Sequence, residues 1–321
     1  MLGRPRYLAI LGPTATGKSA LALAAAERFG GEIVNCDSTA VYRGFDIGTD
    51  KVPVAERRGI PHHLIDIVAP TGEYTAARFA QDTATVIRDI HARRRLPILV
   101  GGTGLYYRAL TRGLFPGPAA DAVLRARLER VGERRGDRWL HRVLQRVDPA
   151  SAGRIQPADR KRMIRAIEVY ALTGRPLTAH FADTVSPLPE FEVMALALRM
   201  SLAALEPRLR RRVDAQLAGG LEAEVRGLLA GGVPFSARPF GGLVYRQMID
   251  YVHGVRNLED TRALIVQENR KYARRQLIWF RKEPTLEWFD GPGESAQVHA
   301  RVFAFLGTRG LHDDGRDVGD G

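Results

Sequence analysis

Eight consecutive residues, Gly12-Pro13-Thr14-Ala15-Thr16-Gly17-Lys18-Ser19, match G-x-x-x-x-G-K-[ST] without a gap. Such a loop turns its backbone N–H groups around a polyanion, and a helix opening at its end adds the positive end of a dipole. Lys18 brings a full positive charge, and the Ser19 hydroxyl suits a magnesium ion as ligand. The motif specifies a phosphate or diphosphate and leaves open what is done with it. Asp37 closes the run Glu32-Ile33-Val34-Asn35-Cys36. An acid beside a phosphate site serves as general base or metal ligand, although Asp-Ser is also a common cap or turn former. Most phosphate-loop hydrolases end a second apolar strand in an acid that organises magnesium and water. Here Leu96 to Val100 ends in Gly101-Gly102-Thr103-Gly104, a second backbone-rich anion pocket. His62 and His63 are adjacent and lack a third ligand nearby, so they read as structural. Cys36 has neither histidine nor cation beside it and reads as a small buried residue.

These residues need elements to hold them. The run Tyr7 to Leu11 predicts a buried strand before the loop, and the Ala/Leu-rich Lys18 to Arg28 a helix closed by Gly30-Gly31. A strand over 32–37, a helix over 75–95 and a strand over 96–100 continue the alternation, which argues for a parallel sheet covered by helices. Ligands of such sheets sit at the C-terminal strand edges, where the loop, Asp37 and Thr103 all fall. The texture changes over 116–188, where strand-like runs give way to Arg/Leu/Ala/Glu helices bounded by prolines. Strand character returns at 191–198, followed by helices over 201–231 and 258–283. The expected fold class is thus α/β: a P-loop NTPase-like parallel sheet flanked by helices, with an inserted all-helical domain. Its expected parts are 1–115, the insertion 116–188, the second part of the core 189–306, and a disordered Gly/Asp-rich tail over 307–321.

Lys and Arg number 48 against 36 Asp and Glu, a formal charge of +12, which suits either a polyanionic partner or a plainly Arg-rich composition until the arrangement of the charges is considered. Between Thr261 and Glu283 stand seven basic residues and two acidic ones. Arg270, Lys271, Arg274, Arg275, Arg281 and Lys282 recur at spacings of four and seven, on one broad helix face. Asp159-Arg160-Lys161-Arg162-Met163-Ile164-Arg165 forms a second cluster inside the insertion. Two clusters far apart in sequence suit a large polyanion such as nucleic acid. No apolar run approaches the roughly 18 residues of a membrane span, so no membrane is expected. Arg4 and Arg6 precede an apolar stretch, but Gly12-Pro13 and Lys18 break it, which speaks against a signal peptide. A single cysteine fits a reducing, cytoplasmic setting.

Several blocks in fixed order make the chain closely resemble the bacterial tRNA dimethylallyltransferases over roughly residues 7–290. They are GPTATGKS at 12–19, DSTAVYRGFDIGT at 37–49, GIPHHLID at 59–66, GGTGLY at 101–106, RAIEVYALTGRP at 165–176 and YARRQLIWFR at 272–281. The resemblance implies transfer of the dimethylallyl group from dimethylallyl diphosphate, with Mg2+, to N6 of the adenosine 3′ of the anticodon in tRNA. It implies that Gly12 to Ser19 hold the diphosphate, that Ser19 meets the metal, that Asp37 is the general base, and that Lys18 and Thr103 serve the leaving pyrophosphate. It further implies tRNA contacts at Asp37, Ser38, Thr39, Ala40, Thr103, Arg125, Lys161, Arg162, Met163, Ile164 and Arg165. The basic face at Arg270, Lys271, Arg274, Arg275 and Arg281 would lie against the anticodon stem-loop, and the default assembly is a monomer. Ala40 replaces the glutamine usual in D-S-x-Q-V-Y, Gln247 stands where a glutamate is usual, and Asn269 where threonine is common. Adenylate isopentenyltransferase or a phosphate-loop metabolite kinase is the competing reading, but neither acceptor needs the basic helix or the insertion. A decayed tRNA-binding module conflicts with intact Lys18, Ser19, Asp37 and Thr103.

Overall fold

The computed structural model describes residues 4–115 and 117–310. Its first part runs β1 (Arg6–Leu11), α1 (Lys18–Phe29), β2 (Gly31–Cys36), β3 (His62–His63), α2 (Ala76–Ala92), β4 (Leu96–Gly101) and α3 (Gly104–Arg112). Four helices follow: α4 (Ala122–Arg135), α5 (Asp137–Val147), α6 (Pro149–Ala152) and α7 (Arg160–Thr173). The chain then returns through β5 (Glu192–Arg199), α8 (Leu202–Ala218), α9 (Leu221–Ala230), α10 (Leu243–Val252), α11 (Leu258–Phe280), β6 (Glu287–Asp290) and α12 (Ala296–Thr308). Two compact units result, one of residues 112–186 and one of the chain on either side of it.

All six strands are parallel, in the order β3-β2-β4-β1-β5-β6. Parallel strands are covered on both faces, so they carry nearly continuous apolar runs. In β1, Leu8 and Ile10 pack with Leu21, Ala22 and Ala25 of α1 and Val298 and Val302 of α12. Tyr7, Ala9 and Leu11 point the other way, into a core with Phe79 and Ile87 of α2 and Ile265 and Phe280 of α11. Register then sets the functional edge: Leu11 pairs with Gly101, and Gly101 with Cys36. The next residues along these strands are Gly12, Gly102 and Asp37, which therefore emerge side by side. Gly12 has φ +127°, and a Cβ there would lie 2.6 Å from the Leu198 carbonyl oxygen, so only glycine lets the loop leave β1 beside β5.

The helical unit closes its own small core around Leu140, Leu144, Met163, Ile164 and Ile167. Two buried carboxylates tie it together. Asp148 accepts from Ser151 N (2.9 Å) and Oγ (2.7 Å) and from Thr178 N (3.0 Å) and Oγ1 (2.7 Å). Burial alone would raise its pKa, but these four donors hold it below the ordinary carboxylate value. Glu168 receives Arg125 through two 2.9 Å bonds, Arg165 at 2.7 Å and the Asp121 N–H at 2.8 Å.

Several expectations change. The helix over 201–231 is two helices, because Gly220 at φ 95° separates α8 from α9. The expected tail from Gly307 begins inside α12, where Leu306 is buried against the sheet; residues 311–321 lie outside the described part. Strands β3 and β6, helix α10 and a short 3-10 helix over Leu177–Asp183 were absent from the sequence reading.

Candidate active site

The phosphate loop is built around its own carbonyls. Pro13 O accepts from Thr16 Oγ1 (2.8 Å) and from the Lys18 ammonium (2.6 Å). Gly17, at φ 84°, precedes the first turn of α1, in which Lys18 and Ser19 are the first two residues. Burial pushes the Lys18 pKa down to about 7; the Arg212 charge adds to this, and Asp37 and Asp50 oppose it. The loop therefore holds a cation source short of anions, a condition that a bound diphosphate reverses.

Asp37 follows β2 directly. Its Oδ1 accepts from Thr39 N (2.8 Å), Thr39 Oγ1 (2.6 Å) and Ala40 N (3.4 Å), so one carboxylate oxygen does cap a turn. Oδ2 has no hydrogen bond among the described residues and remains available to a ligand. Asn35 fixes the strand end behind it, donating to Leu64 O (3.0 Å) and Asp37 O (3.1 Å) and accepting from Asp37 N (3.1 Å). Across the sheet edge, Thr103 N donates to Cys36 O (3.2 Å), and Thr103 Oγ1 accepts from Ser38 N (3.1 Å). Thr103 is thus a stitch between the ends of β2 and β4 with its hydroxyl half-buried.

A cavity of about 150 Å³ opens between these parts. Thr14, Lys18, Ser19, Asp37, Gly101 and Gly102 supply its polar wall, and Ala22, Ile33, Val52, Ile65 and Val100 its apolar one. Ser38, Thr39 and Thr103 stand behind this wall rather than in it. The cavity also takes in Asp50, Arg212, Tyr272 and Gln276, none of which the sequence reading placed at the phosphate loop. Arg212 reaches from α8 to Thr14 Oγ1 (2.5 Å) and pairs with Asp50 (2.7 Å). Gln276 of α11 accepts from Thr14 N and donates to Gly102 O, both at 2.9 Å, so it joins the two anion loops while itself buried. Tyr272 is kept protonated by burial and, next, by the charge of Asp37. The four-residue spacing of Arg208 and Arg212 on α8 was the available signal for a second basic helix face.

His62 lines the same cavity, its Nδ1 2.9 Å from Ile60 O, and His63 Nε2 sits 2.7 Å from Glu32. Among the described residues no cluster of His, Cys, Asp or Glu suits a metal ion. Burial first, then Asp37, raises the Cys36 thiol pKa, so it is inert.

The expected RNA contacts divide. Arg270, Lys271, Arg274, Arg275, Arg281 and Lys282 are all exposed, along α11 and just past its end. Lys271 pairs with Glu268 (2.7 Å) and Arg270 with Glu206 (3.4 Å), whereas Arg274, Arg281 and Lys282 have no ion pair among the described residues. Met163 and Ile164 are corrections: they are 0% and 3% exposed and form the core of the helical unit, because helical periodicity turns them inward. Their open neighbours are Lys161 and Arg162, with Arg165 half-buried. Ala40 is 5% exposed and lines the cavity beside Asp37, where its methyl group offers no hydrogen bond. At the position of the usual glutamate, buried Gln247 accepts from Arg256 (3.1 Å) and Asp250 supplies the carboxylate at 3.4 Å. Asn269 is spent within α11, donating to Ile265 O at 2.9 Å.

The chain is similar to known proteins over nearly its whole length. Residues 40–283 match the family described as IPP transferase. A tRNA dimethylallyltransferase of Geobacter metallireducens is 44% identical over 307 residues, covering 94% of this chain and 98% of the relative. That of Solibacter usitatus is 46% identical over 304 residues, covering 94% and 99%. Among solved structures, the tRNA isopentenylpyrophosphate transferase of Bacillus halodurans superposes with a TM-score of 0.70 at 35% identity, covering 96% of this chain and 97% of that one. A eukaryotic dimethylallyltransferase acting on tRNA gives 0.77 at 27% identity, covering 95% and 79%.

Proposed function

The chain belongs to the IPP transferase family of tRNA dimethylallyltransferases, and from that premise we propose how its site works. The protein transfers the dimethylallyl group of dimethylallyl diphosphate to N6 of the adenosine 3′-adjacent to the anticodon of tRNA and releases diphosphate. The observation that carries this reading is one cavity holding a phosphate loop, an apolar wall and a carboxylate with one unengaged oxygen.

The exocyclic amine of adenine is a weak nucleophile, since its lone pair is delocalised into the ring. Asp37 Oδ2 accepts its proton as the N6–C1 bond forms and the C1–O bond to diphosphate breaks. Its Oδ1, tied to Thr39, fixes the direction of the other oxygen. Positive charge develops on the allylic carbon and negative charge on the departing diphosphate, so Lys18, Arg212 and the loop amides stabilise the leaving group most at the transition state. The apolar wall of Ala22, Ile33 and Ile65 surrounds the five-carbon group and keeps water from the allylic centre. Thr103 orients Ser38 and ties the ends of β2 and β4 together behind the cavity wall.

Magnesium fits the donor set. Ser19 offers one exposed hydroxyl beside the loop, and Mg2+ ordinarily takes few protein ligands, completing its shell with water and phosphate oxygens. When bound it supplies charge neutralisation to the diphosphate. The adenosine must leave its stack to reach Asp37, at a cost of a few kcal/mol; the exposed cations of α11, with Arg125, Lys161, Arg162 and Arg165 of the helical unit, hold the anticodon stem-loop by its phosphates. No described helix is long and apolar enough to cross a membrane, and the working form is a cytoplasmic monomer. The test is to incubate the protein with dimethylallyl diphosphate, magnesium and either unmodified tRNA or AMP. Prenylated adenine in the tRNA alone is expected. Prenyl-AMP alone would reassign the protein to adenylate prenylation.

A further inference from the structure

The inner surface of the phosphate loop is given to the diphosphate, and its outer surface is held by groups the mechanism has not used. Ala15 has φ +62°, a strained setting for a residue with a Cβ that persists only where its surroundings over-determine it. Its carbonyl accepts a 2.6 Å bond from Arg208 Nε of α8. The same guanidinium pairs through Nη1 with Glu294, which lies between β6 and α12. One residue earlier, Gly293 N donates to Thr16 O at 2.8 Å, and His299 Nε2 lies 2.7 Å from Gly293 O. The approach is tight: a Cβ on Gly17 would sit 2.0 Å from Glu294 Oε2, and one on Gly293 would sit 2.3 Å from Gly17 O.

Across a planar trans peptide, a carbonyl and the following N–H point in opposite directions. Drawing Ala15 O and Thr16 O outward therefore turns the Thr16 and Gly17 amides inward. Neither amide has an acceptor among the described residues. We propose that Arg208, Glu294 and the Gly293 amide form a clip that orients these two N–H groups toward the diphosphate. Arg208 and Glu294 are then positioning residues, acting through the loop rather than on the substrate; the inference rests on the diphosphate reading of that loop. Burial raises the Glu294 pKa, but its bond to Arg208 outweighs this and holds the value below the ordinary range, so the pair stays charged at neutral pH.

Glu294→Ala gives a test of opposite signs. Taking an anion away from a diphosphate site tightens binding by electrostatics alone, whereas a lost clip weakens it. Inorganic diphosphate would be titrated calorimetrically into wild type, Glu294→Ala and Glu294→Gln at fixed magnesium, with amide exchange followed over residues 14–17. The clip predicts binding about tenfold weaker in Glu294→Ala, partial rescue in Glu294→Gln, and faster exchange at Thr16 and Gly17. It also predicts a KM for dimethylallyl diphosphate that rises in step, with tRNA affinity and the melting temperature unchanged. Equal or tighter diphosphate binding with unchanged exchange overturns the clip. A wild-type protein that binds no diphosphate overturns the loop's reading, and the clip with it.

Discussion

Asp37 does two jobs with two oxygens, and substitutions can separate them. Asn at this position retains an oxygen for the Thr39 N–H and hydroxyl but has no basicity. Asp37→Asn is therefore expected to lower kcat by about 10²- to 10⁴-fold with tRNA affinity and stability retained, as single-turnover prenyl transfer and a thermal melt will show. Wild-type turnover in Asp37→Asn would reduce the residue to a turn former. Lys18 makes a second prediction. With its pKa pushed down to about 7 in the free site, the amine is charged below that pH and neutral above it. A diphosphate restores the charge, so binding at pH 8 takes up close to one proton and affinity falls by up to about tenfold per pH unit above 7. Calorimetry in buffers of different ionisation enthalpy measures this uptake, and Lys18→Met should abolish it. Gly12 to Ser19, Asp37 and Thr103 were legible because their signals are local in sequence. Arg212 and Gln276 were not, since only tertiary packing brings α8 and α11 against the loop, and Asp50 reaches it from the irregular segment between β2 and β3.

At the scale of elements, α11 has two sides with different duties. One buries Gln276 between the anion loops, and the other exposes Arg274 and Arg275. Replacing both arginines by alanine should weaken tRNA binding and lower the slope of log K against log salt by about 1.8, roughly 0.9 per lost phosphate contact. An unchanged slope would mean this face does not meet RNA. In the helical unit, Asp148 joins α6 to the 3-10 helix over Leu177–Asp183. Asp148→Ala strands two backbone and two hydroxyl donors and should cost about 2–4 kcal/mol of the unit's stability, read by denaturant melts. Because the folded pKa of Asp148 is depressed, its contribution is present at neutral pH and is lost as pH falls below the ordinary carboxylate range. Apolar runs of five or more residues announced β1, β4 and β5, and the shorter Ile33-Val34 stretch before Asp37 marked β2. The two residues of β3 and four of β6 are too short for any period to register, and they exist because neighbouring strands leave an edge to pair. Met163 and Ile164 differ from expectation for a related reason: they sit within a basic stretch, but α7 must bury one side, and they lie on it.

For the whole molecule, the +12 charge is shared among several helices, α4, α7, α8 and α11 each carrying more basic than acidic residues, in keeping with a polyanionic partner. The alternation of strands and helices made the parallel sheet legible, and a change of texture marked the helical unit, whose limits fall at 112 and 186 against an expected 116 and 188. The central claim is that one cavity presents a diphosphate and an everted adenine to each other beside a carboxylate. A crystal structure with unmodified tRNA and a non-reacting thio analogue of dimethylallyl diphosphate measures it directly. The diphosphate is expected on Thr14 to Ser19, with the N6 amine about 2.6–3.2 Å from Asp37 Oδ2. An adenine amine remote from Asp37, or a phosphate loop filled instead by a nucleoside triphosphate poised to donate its terminal group, would contradict the account.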